Sequence, residues 1–225
     1  MKSSFRLLDQ KRQKTPTCRP NTLTHTGGGA GRHLRNMNRN DAVEILDELK
    51  NSPNMVNHAK ACGYSMAALF DYFEKAGKKP ELDKDSWEIV GLLHDADYEA
   101  TDKSLEKHTD LTCEKLKEIK AGQLIIDAIR GHCDKEKRKT LIAKSIYAVD
   151  ELTGLIVACA LVQPDKKLTT VTVKSVLKKF KDKSFAAGAN RDQIKTCETE
   201  FSIPLNSFMG VVLNSIKELS KTLNL

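Results

Sequence analysis

The chain has 225 residues, enough for one well-buried domain with an appendage, and 40% hydrophobic against 5% aromatic residues point to an aliphatic, helical core. A formal net charge of +7 raises nucleic acid or an anionic membrane as partner, but residues 1–36 hold eight Lys/Arg and one acid, Asp9, and the other 29 basic and 29 acidic residues cancel. A general polyanion-binding surface on the folded part thereby loses its main support, and no nucleic-acid partner is expected.

Residues 1–36, with "TPTCRPNTLTHTGGGAGRH", are rich in Thr, Gly and Pro and show no apolar period, so a disordered basic tail is expected. The segment lacks the continuous apolar run of a secretory signal. Its basic, hydroxyl-rich composition has a faint likeness to an organelle transit peptide; the preferred expectation is a mis-assigned start, with Met37 as the natural one, because "MNRNDAVEIL" moves directly into a helix. The "GGGAG" at Gly27 to Gly31 has neither a preceding strand nor the Lys-Ser/Thr ending of a phosphate loop.

From there the apolar period is helical, predicting helices over Asp41 to Lys50, Asn54 to Lys75, Lys84 to Asp95, Ser104 to Ile119, Gly122 to His132, Leu141 to Val162, Val171 to Lys181, Asn190 to Glu200 and Pro204 to Leu223. No alternating strand appears, so the expected fold is all-α. Leu141 to Val162 could span a membrane by length, but Lys144, Asp150 and Glu151 interrupt it, and a core helix is expected instead, with no membrane partner. The six cysteines are scattered without a CxxC pair, as in reduced thiols of a cytoplasmic protein. Trp87 is expected to be a packing residue.

Outside the tail lie His58, His94, His108 and His132, each in line with apolar residues three or four positions away: His58 with Met55, Cys62 and Met66, His94 with Val90, His108 with Leu105 and Leu111, His132 with Ile125 and Ile129. One such histidine is most simply a hydrogen-bonded core residue; four together suggest a shared purpose. Asp95 follows His94, and Asp150 falls on a helix line with Ala143, Tyr147, Gly154 and Val157. An unpaired carboxylate there would cost several kcal/mol or take up a proton, and no Lys or Arg stands at helical spacing on that face. A divalent cation would satisfy all six groups.

The order His58, His94-Asp95, Asp150 resembles the H…HD…D signature of the HD-domain superfamily of metal-dependent phosphohydrolases, an all-α fold, and "NMVNHA", "GLLHDADYE" and "YAVDELTGLIVACAL" look like its small HDIG-type members. The resemblance covers most of residues 37–225, implying an HD-type helical domain there. It implies that His58, His94, Asp95 and Asp150 bind one divalent metal and that Asp95, the expected catalytic carboxylate, bridges to a second. His108 and His132 fall where HD-GYP phosphodiesterases and dinucleoside-tetraphosphate hydrolases keep further histidines. Some two-metal relatives have a glutamate three residues past the aspartate; here that position is Tyr98, between Asp97 and Glu99.

Imidazole and carboxylate ligands suit Mn²⁺, Fe²⁺, Co²⁺, Zn²⁺ or Mg²⁺, one ion or two. The implied reaction is hydrolysis of a phosphate ester in a small metabolite or nucleotide; the alternative is a nucleotide-sensing or protein-binding module without turnover. Lys174, Lys183 and Arg191, beside the small residues of "FAAGA", are the cations expected to meet phosphate, whereas Lys178, Lys179 and Lys181 read as a solvated face. Cys62 and Cys133 near the histidines have the chemistry of soft ligands for a structural zinc, but their helix positions are ordinary core positions.

Overall fold

The structure, a computed structural model, describes residues 37–223; the expected tail and its start lie outside them. Asn38 opens α1 (Arg39–Glu48), its side chain accepting from the Asn40 and Asp41 backbone N–H groups while Asp41 returns a bond to the Asn38 N–H. Ser52 caps α2 (Pro53–Lys75), where Pro53 sits at the position that needs no N–H, and Asp83 caps α3 (Lys84–Leu93). Then come α4 (Asp110–Glu118), α5 (Gln123–His132), α6 (Leu141–Leu161), a 3₁₀ turn at Leu168–Thr170, α7 (Val173–Lys181), α8 (Arg191–Thr199) and α9 (Leu205–Leu223). Among the described residues there is no strand, and the fold is all-α.

Helix α6 is the centre of the bundle, packing against α2, α3, α5, α7, α8 and α9. Its Ile142, Ile146, Val149, Leu152 and Ile156 are buried, which accounts for its apolar length by protein rather than lipid. Among the described residues no helix is long and apolar enough to cross a membrane.

The contact that positions the functional groups is the antiparallel pair α2 and α3. At one end Trp87 meets Phe73 edge-on, ring centroids 5.6 Å apart. At the middle a Cβ on Gly91 would stand 2.6 Å from the Cys62 backbone, and one on Gly63 would meet the Leu92 side chain at 3.0 Å. Only two hydrogens in place of two side chains let the backbones approach this closely. The result brings the start of α2 against the end of α3, where His58 and His94 stand.

Two predicted features differ. The run Ser104 to Ile119 is helical only from Asp110; residues before it form turns, and Thr109 takes a positive φ of 70°. His108 therefore does not share a helix face with Leu105 and Leu111, which are 75% and 37% exposed. Likewise the line of Tyr147, Gly154 and Val157 is the outer edge of α6, so Asp150 lies at the rim of the core, half-buried.

Candidate metal centre

Five segments deliver six side chains to one place. His58 comes from the second turn of α2, His94 and Asp95 directly follow α3, His108 ends the turns before α4, His132 is the last residue of α5, and Asp150 projects from mid-α6. Glu99 steadies the start of α2, accepting from the Ser52 N–H at 2.7 Å and from its hydroxyl at 2.9 Å.

The cluster has two halves joined by one carboxylate. In the first, His58 Nε2 lies 3.2 Å from His94 Nε2 and 3.1 Å from Asp150 Oδ1, and His94 Nε2 is 3.5 Å from the same oxygen. Asp95 Oδ2 faces this group at 3.7 Å from His58 and 3.6 Å from His94. In the second, His108 Nε2 and His132 Nε2 are 3.0 Å apart, and Asp95 Oδ1 stands 3.1 Å from the former and 3.2 Å from the latter. Each oxygen of Asp95 thus serves a different half.

All four rings are turned the same way by their Nδ1 atoms. His94 Nδ1 donates to the Gly91 carbonyl at 2.8 Å, His132 Nδ1 to the Ile129 carbonyl, His108 Nδ1 to Asp97 Oδ1 at 2.9 Å, and His58 Nδ1 to the Thr153 hydroxyl at 3.4 Å. With the proton on Nδ1, each neutral ring presents its Nε2 lone pair inward. Lone pairs facing one another at 3.0 and 3.2 Å repel unless a positive charge lies between them. Ligand atoms around a tetrahedral ion with bonds of about 2.0–2.1 Å are roughly 3.4 Å apart, close to the spacings in both halves. The residues fit a divalent metal.

Protons answer the same demand where no ion does. Burial opposes charge on His94, but Asp95, Cys62 and Asp150 outweigh it and hold the ring's pKa at about 10. Burial likewise works against His108, yet Asp95 and Asp97 raise it to about 9, and His58 is held well above its ordinary value against the same burial by Cys62 and Asp150. In return the imidazoles keep Asp95 and Asp150 well below the usual carboxylate range despite desolvation. Both carboxylates are therefore ionised, as metal ligands must be.

Several contributors carried no sequence signal. Asp97 is fully buried, and its carboxylate accepts from His108 Nδ1, from the Thr109 N–H at 2.8 Å and from the Thr112 N–H at 3.1 Å. Those donors hold its pKa down against the burial that would raise it. Lys135 Nζ reaches the Glu106 and His108 carbonyls and so ties the same turn from the other side. Thr153, one turn beyond Asp150, accepts from His58 and donates to the Asp150 carbonyl at 2.8 Å. Cys62 Sγ lies 3.7 Å from His58 Nε2. Thr153 and Lys135 had no mark in the sequence, whereas Asp97 adjoins the dyad and Cys62 stands one turn after His58.

The expected phosphate cations fare differently. Arg191 donates through both terminal nitrogens to the carbonyls of Asp182, Phe185, Ala186 and Ala189, so its guanidinium clamps the 182–190 loop and is not free for phosphate. Lys183 is exposed on that loop, which is tied to α6 by the Asn190 N–H donating to Glu151 at 2.8 Å, one residue past Asp150. Lys174 lines a groove of about 880 Å³ with Lys178, Lys181 and Asn206, and none of the six clustered residues borders it.

The all-helical bundle gathers imidazoles and carboxylates that could hold a metal at two adjoining positions. Residues 55–155 match the family model of the HD domain, and the chain carries an HD domain over that segment. That superfamily is one of metal-dependent phosphohydrolases. His58, His94, Asp95, His108, His132 and Asp150 all fall inside the matched residues. No curated protein and no solved structure matches the chain.

Proposed function

We propose that the chain is a metal-dependent phosphohydrolase of the small HDIG type, hydrolysing a phosphate ester in a small metabolite or nucleotide. One observation carries this: the two oxygens of Asp95 face two separate sets of inward imidazole lone pairs, the arrangement of a carboxylate shared by two cations. His58, His94, Asp150 and Asp95 would hold one ion, and Asp95, His108 and His132 the other. Divalent ions held by these residues would supply a water of lowered pKa and positive charge to offset that of the phosphoryl oxygens.

The chain's own share is orientation. Thr153, Gly91, Asp97 and Ile129 take the Nδ1 protons, so every ring meets the ions with the nitrogen that binds. Asp95 is held as an anion by three imidazoles, His94, His108 and His132, and needs no proton exchange to act as a bridge. Lys183 is the proposed phosphate contact, because its loop is anchored next to Asp150; Lys174 has no such link, and the groove it lines is a surface feature.

The test is metal analysis of the full-length protein followed by a screen of nucleotides and sugar phosphates with Mn²⁺, Co²⁺, Zn²⁺ or Mg²⁺. Bound transition metal and metal-dependent phosphate release are expected. Tight nucleotide binding without release would favour the sensing module, and neither metal nor release would sink the proposal.

A further inference from the structure

We propose that Cys62 is a sulfur ligand in the first half of the centre, and that it restricts this position to thiophilic transition metals such as Zn²⁺, Fe²⁺ or Co²⁺ in preference to Mg²⁺. This rests on reading the cluster as a metal centre and adds to it the class of metal.

Cys62 stands four residues after His58 on α2, one turn along the same face. Its Sγ, His58 Nε2, His94 Nε2 and an Asp150 oxygen all lie within 4.8 Å of one another. With a metal–sulfur bond of about 2.3 Å and a metal–nitrogen bond of about 2.0–2.1 Å, S and N ligands of a five-coordinate ion are roughly 3.1–3.8 Å apart; the Sγ to His58 Nε2 distance is 3.7 Å. The sulfur is thus spaced from the imidazole as a co-ligand would be.

Its position is also fixed. Cys62 is fully buried, and the backbone that carries it packs directly against α3 at Gly91. The other polar neighbour of the sulfur is the Thr153 hydroxyl at 3.4 Å, whose proton is committed to the Asp150 carbonyl and whose oxygen already takes the His58 Nδ1 proton. That hydroxyl donates nothing to the sulfur. The sulfur would bind the ion as a thiolate, keeping the electron pair, with any proton it carried passing to solvent. Thiolate is a soft ligand and favours zinc-like ions, whereas Mg²⁺ takes oxygen ligands.

The experiment is cobalt substitution of the full-length protein, read by elemental analysis and by absorption. Bound cobalt should show a near-ultraviolet thiolate-to-cobalt charge-transfer band, absent in Cys62→Ser and Cys62→Ala but kept in Cys133→Ser, the control for the thiol beside His108 and His132. Zn²⁺ affinity should fall on the order of tenfold or more in both Cys62 variants, with little change for Mg²⁺. Cobalt bound by the wild type without the band overturns the assignment and leaves the phosphohydrolase reading standing, whatever the variants do. A band lost in Cys133→Ser instead places the thiolate in the other half and also overturns it. No cobalt bound at all overturns this assignment together with the metal centre.

Discussion

The two halves of the centre are built by different means. In the first, His58, His94 and Asp150 ride on or directly beside α2, α3 and α6, and the close approach at Gly63 and Gly91 sets the spacing of His58 and His94. In the second, His132 ends a helix but His108 comes from a turn with a positive φ at Thr109, held by one buried carboxylate, Asp97, and one ammonium, Lys135. Helix packing makes a site that persists while the core is intact. A turn held by charge makes one that a single side chain can release, so the second half is the conditional one.

The largest effect belongs to the group both halves share. Asp95→Ala should remove metal from both positions and cut turnover by more than the ~100-fold that loss of an outer-shell partner brings. Metal content and phosphate release measure it, and unchanged turnover would dissolve the comparison altogether.

Removing the metal should expose the halves in turn through pH. The pKa values of His108 and His94 in the metal-free fold, about 9 and about 10, exceed the ~6.5 of an unfolded imidazole. The folded state then binds more protons than the unfolded one across that window, so their stabilisation is complete below about pH 6.5 and is lost as pH rises, through about 9 for His108 and then about 10 for His94. Calorimetry of chelator-treated protein should show Tm falling over this range, and metal-loaded protein should fall less because protons no longer compete for the ligands. A metal-free Tm that climbs would contradict the charge arrangement.

How much of this was legible in the sequence follows the same division. Apart from the start of α4, the helices were readable to within about two residues at their ends, because each buries an apolar stripe and most begin at a capping side chain. The residues His58, His94, Asp95 and Asp150 were readable as an ordered set. What stayed hidden depends on chain folding back over itself: the apolar neighbours of His108 suggested a helix, but Asp97 captures the Thr109 and Thr112 N–H groups that a longer helix would have bonded internally. Arg191 looked like a phosphate ligand because nothing in composition shows that four carbonyls of its own loop would claim it.

Two substitutions separate the building methods. Gly91→Ala places a methyl 2.6 Å from the Cys62 backbone, so α2 and α3 must part; a loss of about 1–3 kcal/mol is expected, with both metals weakened because His94 and Asp95 move together. Asp97→Asn keeps the shape but offers His108 a neutral amide. It should cost about 10- to 100-fold in affinity at the second position alone, leaving the first half filled. Titration calorimetry on the two variants resolves this, and equal loss at both positions in Asp97→Asn would show that the halves are not separable.

The smallest effect concerns what lies beyond the ions. The grooves that Lys174 and Lys183 line are both free of the metal-facing residues, but the Lys183 loop is pinned beside Asp150 through Asn190 and Glu151. An exposed ammonium contributes at most about 1 kcal/mol to an ion pair, so Lys183→Ala should raise KM by about fivefold or less with kcat nearly constant. Lys174→Ala should change neither. A rise in KM at Lys174 and none at Lys183 would move the substrate to the other side of α7, and with it the face from which the phosphate enters.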